Sequence, residues 1–269
     1  MKYIKYALAV VVLSFIVFKL VMSPSNDRDW NTDQSILSYA TIHGDIVRIY
    51  NIRNFTYTSP TDFTPAYYDR TISVRDITKA WYMVEPFSGI PGSAHTFVSF
   101  ELKDGTYIAI SVEIRKEKSE KFHPARGLFD QYELMYVIGD ERDLIKLRSN
   151  YRKDQVYLYP VKAEAAKVQA LFLDMIHRAN RLKDHPEFYN TLTNTCTTNI
   201  VSHIRRISDV KISSFNLKVL FPEYSDELAY KHGLIDTDLS FEEARKKFNI
   251  NERAMKYADS DMFSRMIRE

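Results

Sequence analysis

Apolar and polar residues alternate with a period of two along residues 94–102 (Ala-His-Thr-Phe-Val-Ser-Phe-Glu-Leu) and 106–115 (Thr-Tyr-Ile-Ala-Ile-Ser-Val-Glu-Ile-Arg), which flank Lys103-Asp104-Gly105. The pattern predicts a hairpin with Gly105 in the left-handed position of a bulged type I turn. With this three-residue loop Leu102 faces Thr106 and His95 lies opposite Glu113. His95, Phe97 and Ser99 then share a face with Ala109, Ser111, Glu113 and Arg115. Val98, Phe100 and Leu102 share the other with Ile108, Ile110, Val112 and Ile114. One face is expected to be core and the other to carry chemistry. A two-residue Asp-Gly turn would slip the register by one and move Glu113 away from His95.

Weaker alternation predicts one long or two short strands over 41–57 and further strands over 78–87, 132–138 and 155–161. Pro60 and Pro65 mark 58–68 as loop, and 88–93 is rich in turn residues. Helical spacing appears at Ala166, Ala170, Leu173, Ile176 and Ala179, predicting a helix over 163–182 that stops before Pro186. A second helix is expected at roughly 196–207, from Ile200, Val201, Ile204 and Ile207. The charged stretch 139–148 suggests a short helix. After Ser213 the chain reads as a helical tail over 225–232, 240–248 and 251–266, with Ser240 and Glu243 forming a capping box. The expected class is α+β, an antiparallel sheet packed on a helix.

At the N-terminus, Lys2 and Lys5 precede an apolar run over 6–22 broken by Ser14 and Lys19. The run is short for a span of about 20 residues, but Lys19 can snorkel and Ile4 extends it. The expectation is a signal-anchor helix over 1–22, with the basic end inside and everything after Asp27 outside. The rival is a cleaved signal peptide, although no small-x-small cleavage site precedes Pro24. Both export the rest of the chain, divided into a main domain over 23–213 and a helical extension over 214–269. Trp30, in the polar linker 23–33, is a candidate first anchor onto the domain.

At 269 residues, 45% hydrophobic and 27% charged, the composition is that of a globular protein. A net charge of +2 carries no nucleic-acid footprint. Glycine-rich phosphate loops, His-Glu-x-x-His and Gly-x-Ser-x-Gly are absent, and the seven histidines lack ligand spacing, so no metal or cofactor is expected.

The chain has one cysteine, Cys196, in Asn190-Thr-Leu-Thr-Asn-Thr-Cys-Thr-Thr, a polar, cap-rich run at the start of the second helix. A thiol there faces the positive end of the helix dipole, which favours the thiolate. A lone cysteine cannot form an intramolecular disulfide, and an exported one is a reactive-thiol candidate. The hairpin supplies the other members of a thiol site: His95 as base and Glu113 as the group that orients it. His203 is the alternative base, but two helical turns separate it from Cys196 by about 10 Å, so it is read as structural. The Cys196 amide, with Asn194 or Tyr189, is a candidate oxyanion hole. Ser99 and Tyr132 are further substrate-contact candidates. Arg115, Arg142 and Arg148 could bind phosphate or carboxylate, against a default of ion pairing with Glu113, Glu141 or Asp143. Phe129, Tyr132 and Tyr136 could line an acyl groove, against a default of core packing.

The segments 94–100, 110–115, 132–143 and 188–198 together resemble, in that order, the bacterial Lnb N-terminal periplasmic domain family over about residues 28–207. The resemblance implies a circularly permuted papain-like fold in which the histidine strand precedes the cysteine helix. It also implies lipoprotein N-acylation: an acyl chain passes from a phospholipid through Cys196 to the N-terminal amine of a diacylglyceryl-cysteine lipoprotein. The implied location is the bacterial inner membrane, single-pass, with the catalytic domain in the periplasm. The rivals are an envelope thiol peptidase or amidase, and a non-enzymatic binding or assembly module with a packed cysteine.

Overall fold

The computed structural model describes residues 22–269 apart from Phe122, together with Tyr3, Tyr6 and Leu13. The expected anchor over 1–22 lies outside the described residues. Among them, no helix is long and apolar enough to cross a membrane.

The strands are β1 (Tyr39–His43), β2 (Ile46–Arg53), β3 (Thr56–Tyr57), β4 (Phe63–Thr64), β5 (Tyr67–Ser73), β6 (Ile77–Pro86), β7 (Ala94–Leu102), β8 (Tyr107–Arg115), β9 (Glu133–Gly139) and β10 (Tyr157–Pro160). Eight of them form one sheet in the order β1-β2-β9-β8-β7-β6-β10, with β5 also pairing with β2. Its pairings are antiparallel except for a single parallel contact, Arg53 with Gly139. The helices are α1 (Pro124–Leu128), α2 (Glu141–Lys146), α3 (Ala165–Asp184), α4 (Cys196–Ile207), α5 (Leu217–Leu220), α6 (Ser225–Lys231), α7 (Phe241–Phe248), α8 (Asn251–Lys256) and α9 (Phe263–Met266). Leu147–Arg152 continues α2 as a π-helical turn.

The bulged register is the one observed. Leu102 N–H donates to Thr106 O at 2.9 Å, Gly105 has φ of 78°, and Phe97 faces Ser111 while Phe100 faces Ile108. Both faces of the hairpin are covered, the one that carries His95, Ser111 and Glu113 included. Val98, Phe100, Ile108, Ile110 and Tyr136 pack under α3 and α4. Met83, Phe97, Ala109, Met135 and Val137 pack on the opposite face beneath Leu144 and Ile145 of α2, Ile250, Ala254 of α8 and Phe263 of α9. The chain after 213 therefore contributes to the roof of the hairpin's chemical face, and polar groups on that face are buried and must find protein partners.

The capping box at Ser240 and Glu243 forms as expected, but the tail helix breaks between Lys256 and Phe263. The segment 58–68, read as loop, contains β4 and the start of β5. Along β5 only Ile72 is buried, so the strand carries almost no hydrophobic signal.

Buried charges join the second layer to the sheet. Arg53 makes two 2.9 Å bonds to Asp143 of α2, whose carboxylate also accepts from Phe55 N–H at 2.9 Å and Tyr57 Oη at 3.0 Å. Removing one partner of a buried pair strands the other. Asp143→Ala is therefore expected to destabilise the protein by about 3–5 kcal/mol, read as a lower urea midpoint; a loss under about 1 kcal/mol, typical of exposed pairs, would contradict this account.

Candidate active site

Helix α4 begins at the cysteine itself. Thr195 is the N-cap: its hydroxyl accepts from Thr198 N–H at 3.2 Å, and the Thr198 hydroxyl accepts from Thr195 N–H at 2.7 Å. This reciprocal cap leaves the amides of Cys196 and Thr197 as helix-start donors without intrahelical carbonyl partners. Cys196 is 8% exposed and belongs to the core beneath α3 and α4.

The hairpin opens where the helix tip meets it. β7 and β8 pair from Glu101 with Tyr107 as far as Phe97 with Ser111, and the ladder ends there. Each strand continues with its other neighbour, His95 with Glu85 on β6 and Glu113 with Met135 on β9. His95 is electrostatically coupled to both Cys196 and Glu113. Its Nε2 lies 2.7 Å from Ser111 Oγ and 3.2 Å from Glu113 Oε1. Ser111 Oγ donates to Glu113 Oε1 at 2.6 Å, and Arg148 donates to the same oxygen at 2.8 Å. Arg148 stands on the π-helical turn, where it also donates to Glu85 Oε2 at 2.7 Å and to Leu144 O at 2.7 Å.

These contacts set the protonation of the pair. Burial disfavours the Cys196 thiolate, but the hydrogen bond and positive charge of His95, with bonds from Thr96 and Thr197, outweigh it and lower the thiol from 9.0 to about 7. Burial likewise disfavours the imidazolium, and the Glu113 charge and the bond to Cys196 raise His95 to about 9. The Glu113 carboxyl is desolvated, yet the His95 and Arg148 charges hold it well below the usual range. Each group favours the charged form of the other, which biases the pair toward thiolate and imidazolium, a form able to attack a carbonyl and then deliver a proton.

Tyr189 lies within the fields of Cys196 and Glu113; burial, first, and those charges keep its hydroxyl protonated. The other sequence candidates have structural partners. Asn194 donates to Phe188 O and accepts from Asn199, both at 2.8 Å, so its side chain fastens the loop before α4. Ser99 donates to Glu141, which pairs with Arg268. It stands four residues along the strand from His95, roughly 13 Å. Arg115 bonds Gln34 O, Ser35 O and Asn26 Oδ1, each at 2.8 Å, and lies 4.2 Å from the Trp30 ring centroid, clamping the N-terminal linker. Arg142 pairs with Asp140 at 3.0 Å. Tyr132 Oη accepts from His123 N–H at 2.9 Å and donates to Lys121 O at 2.8 Å. Tyr136 Oη meets His203 Nε2 at 2.6 Å, and His203 Nδ1 meets Asp174 at 2.6 Å, tying α4 to the sheet and α3. Phe129 is exposed.

Ser111 and the pair Thr96 and Thr197, 3.0 Å apart, were not singled out in the sequence. Ser111 was within reach of the pattern, being two residues before Glu113 on His95's face. The Thr96–Thr197 contact, between residues 101 apart, depends on helix docking that no local spacing encodes.

The family description Lnb N-terminal periplasmic domain matches residues 63–223, more than half of the chain and the whole interval from His95 to Cys196. No curated protein and no solved structure matches the chain.

Iodoacetamide alkylation of Cys196 should rise with pH through a midpoint near 7, since the reactive thiolate is lowered to that value. In His95→Ala only the Thr96 and Thr197 bonds still oppose burial, so the midpoint should move up by about one unit or more. An unchanged midpoint would mean that His95 does not support the thiolate.

Proposed function

The chain belongs to the Lnb N-terminal periplasmic domain family, and from that premise we propose that it is a cysteine acyltransferase acting on envelope lipoproteins. The observation that carries the proposal is the ordered row of Cys196, His95 and Glu113, a nucleophile paired with a proton carrier that a half-buried carboxylate orients. The family supplies the periplasmic setting. The order His95, Glu113, Cys196 fits a permuted papain-like arrangement, and a single-pass anchor over 1–22 would hold the site near lipid substrates.

In the proposed reaction the Cys196 thiolate attacks an ester carbonyl of a phospholipid, forming the sulfur–carbon bond and a tetrahedral oxyanion. The Cys196 amide and the Tyr189 hydroxyl stabilise that oxyanion as donors. Collapse breaks the ester carbon–oxygen bond, and His95 gives its proton to the departing lysophospholipid alkoxide. The acceptor amine of a diacylglyceryl cysteine then attacks the thioester, His95 takes its proton, and the carbon–sulfur bond breaks to release an amide and regenerate the thiolate. Arg148 acts as a positioning residue for Glu113, not as a substrate anchor, because its bonds go to Glu113, Glu85 and Leu144.

Incubation with a diacyl phospholipid should add one acyl mass to the intact protein, absent in Cys196→Ala. His95→Ala should lower the adduct rate by about 10²–10⁴-fold, the usual share of a general acid–base, and Glu113→Gln should lower it by less. No adduct on the wild-type protein, or an equal adduct on Cys196→Ala, would remove the thioester; wild-type turnover by His95→Ala would reassign the proton carrier.

A further inference from the structure

An apolar cavity of about 700 Å³ runs beneath the outer length of α4. One stripe of the helix faces it, with Ile200, Ile204 and Ile207 following Thr197 at helical spacing, while Leu171 of α3, Val219 of α5 and Leu228 of α6 close it. From Thr197 to Ile207 the stripe is roughly 15 Å long at 1.5 Å per residue. That is the depth of one leaflet of a hydrocarbon core about 30 Å thick.

The cavity is half open to the surface and walled mainly by apolar side chains, and water along such walls finds few polar partners. A space of this size falls among sites built for organic ligands, about 300–1,000 Å³. Charged residues such as Lys79, Lys162, Glu164, Lys167 and Asp236 also belong to its lining. Nearest the cysteine the lining is hydroxylic: Tyr82 Oη donates to Ser225 Oγ at 2.8 Å, and the Thr197 hydroxyl lies 3.7 Å from Cys196 Sγ. A linear apolar molecule with its reactive head at Cys196 matches this layout. The segment covering the cavity is also apolar outward: Phe215 and Leu217, on either side of the α5 start, are 71% and 69% exposed. An outward apolar surface beside the cavity suits a bilayer as the source of the occupant.

We infer that this cavity receives the long acyl chain of the phospholipid donor, carbonyl at Cys196 and chain tail toward Ile207. The inference rests on the acyltransfer reading and adds the site that holds the chain, placing it under α4 rather than along Phe129, Tyr132 and Tyr136.

Binding is measured on Cys196→Ala, which cannot form the thioester, with the fluorescent fatty acid cis-parinaric acid as probe. Saturated acids and lysophosphatidylethanolamines of increasing chain length compete against it. Saturable one-to-one binding is expected, tightening about fourfold per added methylene until the cavity is full. Adding Ile200→Trp or the less buried Ile204→Trp, with folding checked by thermal melting, should weaken binding at least tenfold, whereas exposed Phe215→Ser should leave cavity affinity unchanged. Absence of saturable binding, or full binding with a folded cavity-filling variant, would overturn the inference. Competition by the free acids but not by the lysophospholipids would overturn the phospholipid assignment. Chain binding without a covalent adduct on the wild-type protein would leave the cavity in place and remove the acyltransfer reading; an adduct undiminished in the filled variants would do the reverse.

Discussion

The site depends on one oxygen, Glu113 Oε1, which lies 2.8 Å from Arg148, 2.6 Å from Ser111 and 3.2 Å from His95. A carboxylate this desolvated stays ionised only because cations face it from two sides. The groups form an alternating file: thiolate at Cys196, imidazolium at His95, carboxylate at Glu113, guanidinium at Arg148, carboxyl at Glu85. Arg152, 3.6 Å from Glu85 Oε1, closes the file toward solvent. Each charge is tolerated in the interior because its neighbours have the opposite sign. Removing any member would change the proton affinity of the next, so the thiol's low value belongs to the whole row.

That row requires four backbone features. The Thr195–Thr198 cap starts α4 at Cys196 and leaves its amide uncommitted to the helix. The bulged turn at Gly105 sets the register that puts His95, Ser111 and Glu113 on one face, and the parting of β7 from β8 beyond Phe97 and Ser111 gives the helix tip access to His95. The π-helical turn swings Arg148 into the interior, at a position where an irregular helix often marks function. The second layer, α2 with α8 and α9, then excludes water from the file and strengthens every charge–charge contact in it.

Much of this was legible in the chain. Hairpin register, the span of α4 and the Ser240 capping box follow from period, turn chemistry and capping, all local properties. The roof over the hairpin's polar face was not legible, because alternation in β7 and β8 describes side-chain chemistry and cannot say what a distant helix will cover. β5 was missed for the opposite reason, since a strand with one buried residue barely alternates. The arginines show the same limit. Residue type predicted ion pairing, but not that Arg148 would hold Glu113 while Arg115 would clamp the linker through backbone carbonyls and Trp30. Partner choice for a long cationic side chain is set by packing at large sequence separation.

Cys196 lies where two unlike environments meet. The charge file approaches from the parted end of the hairpin, and the apolar cavity approaches along α4, with the hydroxyls of Thr96, Thr197, Tyr82 and Ser225 between them. A chain lying in the cavity would leave its carbonyl as the one polar group at the boundary, within reach of the helix-start amides and beside the thiolate. Proton traffic would then stay on the His95 side and hydrocarbon on the α4 side. Such separation bears on the fate of a thioester: with the chain filling the cavity and the second layer sealing the file, the thioester carbonyl is left facing one direction, and an amine arriving there competes with few waters. In this geometry, burial of the thiol opposes the thiolate through desolvation and would protect the proposed acyl-enzyme from hydrolysis, and the Glu113–Arg148 network would offset the first effect while preserving the second.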